Sequence, residues 1–98
     1  MTYVKLGHVR AFPGVQPTKE QALKPLEEAA EVFGAWQEYE YGTDGQWSSE
    51  SLKRFTVDEI ADTIQACANL ASALGVDDLT PHLARCEERN RERGRYEG

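Results

Sequence analysis

Two segments of the chain carry acidic side chains at helical spacing, and this pattern restricts the fold more than any other feature. Glu28 and Glu31 lie three residues apart in the first segment, and Glu59 and Asp62 repeat that spacing in the second. Because an α-helix advances about 100° per residue, each pair lies on one helical face. Two such helices packed side by side bring the carboxylates into one cleft, where their charges repel. A divalent cation with a preference for oxygen ligands, such as Mg²⁺, would offset that repulsion.

The apolar residues around the first acidic pair recur with helical periodicity. They form a wide stripe beside the acidic face: Leu26, Ala29, Ala30, Val32, Phe33 and Trp36. Thr18 and Gln21 make a capping box that would begin a helix, and Pro25 must then kink that helix or start a new one. We expect a kink or short break there, with the main helix running from Pro25 to about Tyr41.

Helix start and stop signals predict two more helices after a loop over residues 42–49. Thr56 opens a second capping box, so a helix is expected from Thr56 to Leu74, with Gly75 as its left-handed terminator. Residues 49–54 allow one additional helical turn before it. No strand-like alternation competes with this interpretation. The chain is therefore predicted to be all-α and to form a small helical bundle.

The two ends of the chain complete a single predicted domain over residues 1–98. A last helix is expected to be capped by Thr80, with Pro81 at its first position, to continue to about Arg93 and to stop at Gly94. Residues 1–17 hold two of the four prolines and are expected to form an extended arm.

Composition excludes some partners. The net charge of −6 argues against a general binder of nucleic-acid polymers or membrane surfaces, which would carry a basic excess. No apolar run approaches the roughly 20 residues of a membrane span. Cys67 and Cys86 form no CxxC pair and are interpreted as reduced thiols, which favours a cytoplasmic protein.

The ordered acidic motifs resemble a known signature. Glu27-Glu28-x-x-Glu31, followed by Glu59-x-x-Asp62, resembles the EExxE…ExxD pattern of the MazG-like, all-α nucleoside triphosphate pyrophosphohydrolases. The likeness continues through residues 68–77 and the polar tail at 90–96, so it covers about residues 19–96.

This resemblance implies a function and a ligand set. The enzyme would hydrolyse a (d)NTP to the monophosphate and pyrophosphate, using Mg²⁺, or Mn²⁺ as a substitute, held by Glu28, Glu31, Glu59 and Asp62. Glu27 would assist a second ion or act as a base. The family also implies a homodimer or a dimer of dimers, in which each subunit covers apolar helix surface of the other.

Five further residues are predicted to contact the substrate. Asn90 and Arg93 match the family's polar tail and suit phosphate contacts, as does Lys24, one turn before Glu28. Asn69 extends the polar stripe of the second helix beyond Asp62. Trp47, in a polar loop, could form a lid over the base or a dimer contact.

Two other interpretations of the acidic residues stay open at this point. Spacing alone fits a solvated acidic face as well as a metal site, since Asp58 and Glu59 would be favoured in the first turn of a capped helix. The chain could then be a non-catalytic helical interaction module. Within the same superfamily, a phosphoribosyl-ATP pyrophosphohydrolase would share the metal site but have a different base pocket.

Overall fold

The chain folds into three α-helices. The computed structural model describes residues 2–42, 45 and 47–97, so Met1, Thr43, Asp44, Gln46 and Gly98 lie outside it, three of them in the predicted loop. The helices are α1 (Lys19–Tyr41), α2 (Ser49–Ala73) and α3 (Thr80–Glu92). The described residues contain no strand, which confirms the all-α prediction. None of the three helices is both long enough and apolar enough to cross a bilayer.

Helix α1 begins at Lys19 and continues through Pro25. The side chain of Thr18 accepts a hydrogen bond from the backbone N–H of Gln21 at 3.2 Å, which fixes the first turn. A short break with a main helix starting at Pro25 is therefore wrong, whereas a kink at Pro25 stays a prediction. Proline lacks one N–H, so only the bond to the carbonyl of Gln21 is lost, and the capped turn before it keeps the helix continuous.

Helix α2 begins earlier than predicted. Ser48 is its N-cap and accepts a hydrogen bond from the N–H of Ser51 at 3.1 Å. Thr56 is not a cap; its hydroxyl donates to the carbonyl of Leu52 at 2.9 Å, a bond that accommodates threonine inside a helix. Glu59 consequently lies in the middle of α2, and capping no longer explains its position.

The predicted helix terminators are confirmed. Gly75 has φ 82° and Gly94 has φ 72°, the left-handed conformation that glycine adopts without strain. After Gly75, the N–H of Val76 donates to the carbonyl of Ala71 at 2.9 Å and closes the end of α2.

Helix α3 begins with Thr80 as a helical residue, where the sequence predicts a cap. Oδ1 of Asp78 accepts a hydrogen bond from the N–H of Thr80 at 2.9 Å. The pKa of Asp78 is lowered by hydrogen bonds from Thr80, most by the one from its side chain and next by the one from its backbone. Pro81 occupies the first turn, where its missing N–H needs no partner.

The helices do not form one closed bundle within a chain. α1 and α2 pack as an antiparallel pair, whereas no Cα atom of α3 lies within 8 Å of either helix in the described chain. Among the described residues only Leu52, Ala66 and Asn69 are buried. The radius of gyration is 16.1 Å, compared with about 12.6 Å for a compact domain of this length. A single chain therefore leaves much of its apolar surface uncovered.

Candidate functional site

Three carboxylates from the two packed helices converge. Glu28 on α1 and Glu59 and Asp62 on α2 each place one oxygen so that all three oxygens lie within 4.8 Å of one another. Glu28 and Glu59 are half-buried, and Asp62 is exposed. The antiparallel packing of α1 and α2 makes the two acidic faces meet. This set of oxygen ligands has the chemistry that Mg²⁺ or Mn²⁺ binds.

The fourth predicted ligand, Glu31, lies beside these three. Partial burial raises the pKa of Glu28 above its ordinary value of 4.5, and interaction with the Glu31 carboxyl raises it further. Partial burial likewise raises the pKa of Glu59, followed by the negative charges of Glu31 and Asp62. The four carboxyls therefore form one electrostatically coupled group, which we call the acidic cluster: Glu28, Glu31, Glu59 and Asp62.

One oxygen of the acidic cluster lacks a partner. Oε2 of Glu59 is shielded from solvent and has no hydrogen-bond donor among the described residues, although the residue as a whole is half-buried. A shielded carboxylate oxygen without a donor costs free energy. A cation bound by the cluster would provide the missing partner.

A cavity of about 500 Å³ adjoins the acidic cluster. Its volume falls within the range of small-molecule sites. Glu28 and Asp62 of the acidic cluster line it, as does Glu20 of α1. The rest of the wall includes Phe12 and Thr18 before α1, Lys24 on α1, and Gln65 and Asn69 on α2.

The structure brings two of the predicted substrate contacts to this cavity. Lys24 and Asn69 both line it, and Asn69 is only 4% exposed. The ammonium of Lys24 pairs with the carboxylate of Glu27 at 3.1 Å, and this hydrogen bond raises the pKa of Lys24. Glu27 therefore pairs with Lys24, and it is not one of the three carboxylates that converge in the described chain.

Three other predicted contacts lie elsewhere in the chain. Trp47 packs edge to face against Phe55, with ring centroids 5.4 Å apart. Asn90 is on α3 and Arg93 caps its end, and α3 does not approach α1 or α2. Within the described part of one chain, none of the three lines the cavity.

Phe12 and Gln65 are among the residues of the cavity wall that the sequence did not indicate as site residues. Gln65 had a usable signal, since it precedes Asn69 by four residues and therefore shares its helical face. Phe12 had none. The prolines of the arm indicate extended chain, but extended chain has no periodicity that predicts which helix it will cross.

Comparisons of the chain with models of protein families, with curated proteins and with solved structures found no match. The MazG-like resemblance therefore remains an interpretation of the ordered motifs.

The acidic cluster predicts a pH dependence of stability in the absence of metal. Folding raises the pKa of Glu59, so between pH 4.5 and this raised pKa the folded chain binds more protons than the unfolded chain. By linkage, the free energy of unfolding therefore falls as the pH rises between these two pKa values. We expect Glu59→Gln, which removes the titrating group, to gain stability relative to wild type as the pH rises from 4.5 through the raised pKa of Glu59.

Urea unfolding in EDTA at several pH values measures this difference. Glu40→Gln, an exposed change near the end of α1, is the control and should follow wild type. A Glu59→Gln variant that loses stability relative to wild type as the pH rises would contradict the expectation.

Proposed function

We propose that the protein is a metal-dependent nucleoside triphosphate pyrophosphohydrolase, which converts a (d)NTP to the monophosphate and pyrophosphate in the cytoplasm. The observation that carries this proposal is the convergence of Glu28, Glu59 and Asp62 within 4.8 Å. Those residues come from both motifs of the resemblance, which are separated in sequence and meet only in the folded chain. The adjoining cavity provides room for a small ligand at the same place.

The residues present fit the metal that the resemblance implies. Glu28, Glu59 and Asp62 would hold Mg²⁺ or Mn²⁺, with Glu31 adjacent to complete the set. The unpartnered Oε2 of Glu59 and the raised pKa values of Glu28 and Glu59 both indicate a site that lacks positive charge. When bound, such an ion neutralises phosphate charge and makes a bound water more acidic.

The chain's own residues have separate tasks in this proposal. Lys24 lies on the cavity wall and provides a cation for the phosphates. Its partner Glu27 is exposed, and exposed ion pairs are weak, so the ammonium can turn towards a phosphate oxygen. Glu27, which the resemblance gives as base or second-ion ligand, becomes available for that role when this ion pair opens.

A substrate screen tests the proposal. The eight common ribo- and deoxyribonucleoside triphosphates are incubated with the protein and Mg²⁺, and pyrophosphate and orthophosphate are measured separately. We expect pyrophosphate from at least one nucleotide and none in EDTA. Release of orthophosphate alone would indicate a different bond cleavage. No cleavage of any nucleotide with Mg²⁺ or Mn²⁺ would contradict the proposed function.

The proposed enzyme acts as a homodimer or a dimer of dimers. The chain exposes 8024 Å² of surface, whereas a compact monomer of this mass would expose roughly 5,600 Å². The difference is about 2,400 Å² for each chain. Two chains together carry twice this excess, and obligate interfaces bury roughly 2,000–5,000 Å² or more in total, so pairing with a second copy can account for it.

A further inference from the structure

The arm before α1 is fixed across α2 by two side chains. Nε2 of Gln65 donates to the carbonyl of Arg10 at 2.8 Å and to Oδ1 of Asn69 at 3.0 Å. The same Oδ1 accepts the backbone N–H of Phe12 at 3.0 Å. Because Asn69 is only 4% exposed, its amide is shielded from water, and leaving it unpaired would be costly. Gln65 and Asn69 therefore form a clamp that holds the arm at Phe12.

The clamp leaves the ring of Phe12 uncovered at the cavity wall. Phe12 lines the same cavity as Glu28 and Asp62. The residue is 58% exposed, although its backbone is bonded to a buried side chain. Among the described residues, the ring forms no aromatic pair. An exposed aromatic ring, whose backbone is anchored at the wall of a cavity, is suited to cover the face of an aromatic ligand.

We propose that Phe12 is the stacking platform for the nucleobase, and that Gln65 and Asn69 are positioning residues that hold it there. This inference rests on the proposed function, because it takes the ligand to be a nucleoside triphosphate with its phosphates at the acidic cluster and Lys24. The base then lies towards the arm. Since every base has a π-face, stacking on Phe12 strengthens binding of all nucleotides similarly and does not select one of them.

Steady-state kinetics of Phe12 variants test the platform. Phe12→Ala should raise KM for each cleaved nucleotide by about 5- to 150-fold, the loss expected for one stacked base, with a much smaller change in kcat. Phe12→Trp should keep KM near the wild-type value because it retains an aromatic face. Inorganic tripolyphosphate, which has no base, should inhibit wild type and Phe12→Ala equally. Tyr3→Ala changes an exposed aromatic residue of the same arm outside this cavity, and it should leave KM unchanged.

A double variant tests the positioning role. Gln65→Ala should also raise KM for nucleotides while leaving inhibition by tripolyphosphate unchanged. Because Gln65 acts through Phe12, combining Gln65→Ala with Phe12→Ala should raise KM no further than Phe12→Ala alone. If the two substitutions raise KM independently, so that their factors multiply in the double variant, Gln65 has only a general structural role. A loss of kcat in Gln65→Ala without a rise in KM would lead to the same conclusion.

The outcomes separate this inference from the proposed function. If wild type releases pyrophosphate and Phe12→Ala retains the wild-type KM, the platform is wrong and the proposed function stands. If wild type cleaves no nucleotide, the proposed function fails, and calorimetry with the same nucleotides decides the inference. Absent binding by wild type, or equal affinity of wild type and Phe12→Ala, would then overturn the inference too.

Discussion

Replacing Glu28 with glutamine, or Asp62 with asparagine, is expected to reduce pyrophosphate release by about 100-fold or more while leaving the fold intact. Each change removes one negative charge from the acidic cluster and keeps the shape of the side chain. Since a bound cation supplies several kcal/mol of stabilisation to phosphoryl chemistry, weakening its site should affect turnover far more than packing. The measurement is kcat on the best nucleotide found in the screen.

Controls for these variants separate chemistry from folding. Glu40→Gln removes a charge from an exposed position of α1, the helix that carries Glu28, and should retain wild-type turnover. Circular dichroism should show unchanged helix content in every variant. Calorimetric titration with Mg²⁺ should show weaker binding by Glu28→Gln and Asp62→Asn. Wild-type turnover in both of these variants would mean that the acidic cluster is not the catalytic site.

The convergence of Glu28, Glu59 and Asp62 was predictable because helical periodicity is local. The spacing of each pair fixes its angle around its own helix, whatever the rest of the chain does. The convergence then requires only that the two acidic faces meet, and the resemblance to a two-motif signature supplied that expectation. Gly75 and Gly94 were predictable for a similar reason, since the left-handed termination of a helix is a local property of glycine.

The errors in helix starts arose where two local signals compete. Thr56 and Glu59 make a good capping box, but Ser48 offers an equivalent cap upstream, and the residues between them are compatible with a helix. Once α2 begins at Ser49, the hydroxyl of Thr56 can bond to the preceding turn instead. Pro25 is similar, because a proline that loses one bond can remain inside a helix that is already capped.

The position of the arm could not be predicted from the sequence. Its placement depends on three hydrogen bonds among the side chains of Gln65 and Asn69 and the backbone of residues 10 and 12, which are more than fifty residues away in sequence. Such contacts leave no periodic pattern. The same limit applies to α3, whose capping and terminating residues were recognisable although nothing in its sequence showed that it would lie apart from α1 and α2.

Both packed helices retain large apolar side chains on their exposed surfaces. On α1, Leu26 is 68% exposed and Phe33 is 58% exposed, and Phe33 stacks on Trp36 with ring centroids 5.9 Å apart. On α2, Val57 and Ile60 remain exposed one turn apart. Residues at these spacings form stripes along their helices, and contiguous apolar stripes of this kind usually mark interfaces. A second copy of the α1–α2 pair would cover them in a four-helix arrangement with two-fold symmetry.

Light scattering at micromolar concentration is therefore expected to give two or four times the chain mass of 11.0 kDa. Phe33→Asp places a charge in the centre of the α1 stripe, where burial without a partner is strongly unfavourable. It should shift the protein to a monomer, lower its melting temperature and reduce pyrophosphate release. Leu6→Asp, at an arm residue that is 52% exposed, should leave the mass unchanged. A wild-type monomer that is stable and active would refute the assembly and require one chain to build the whole nucleotide site.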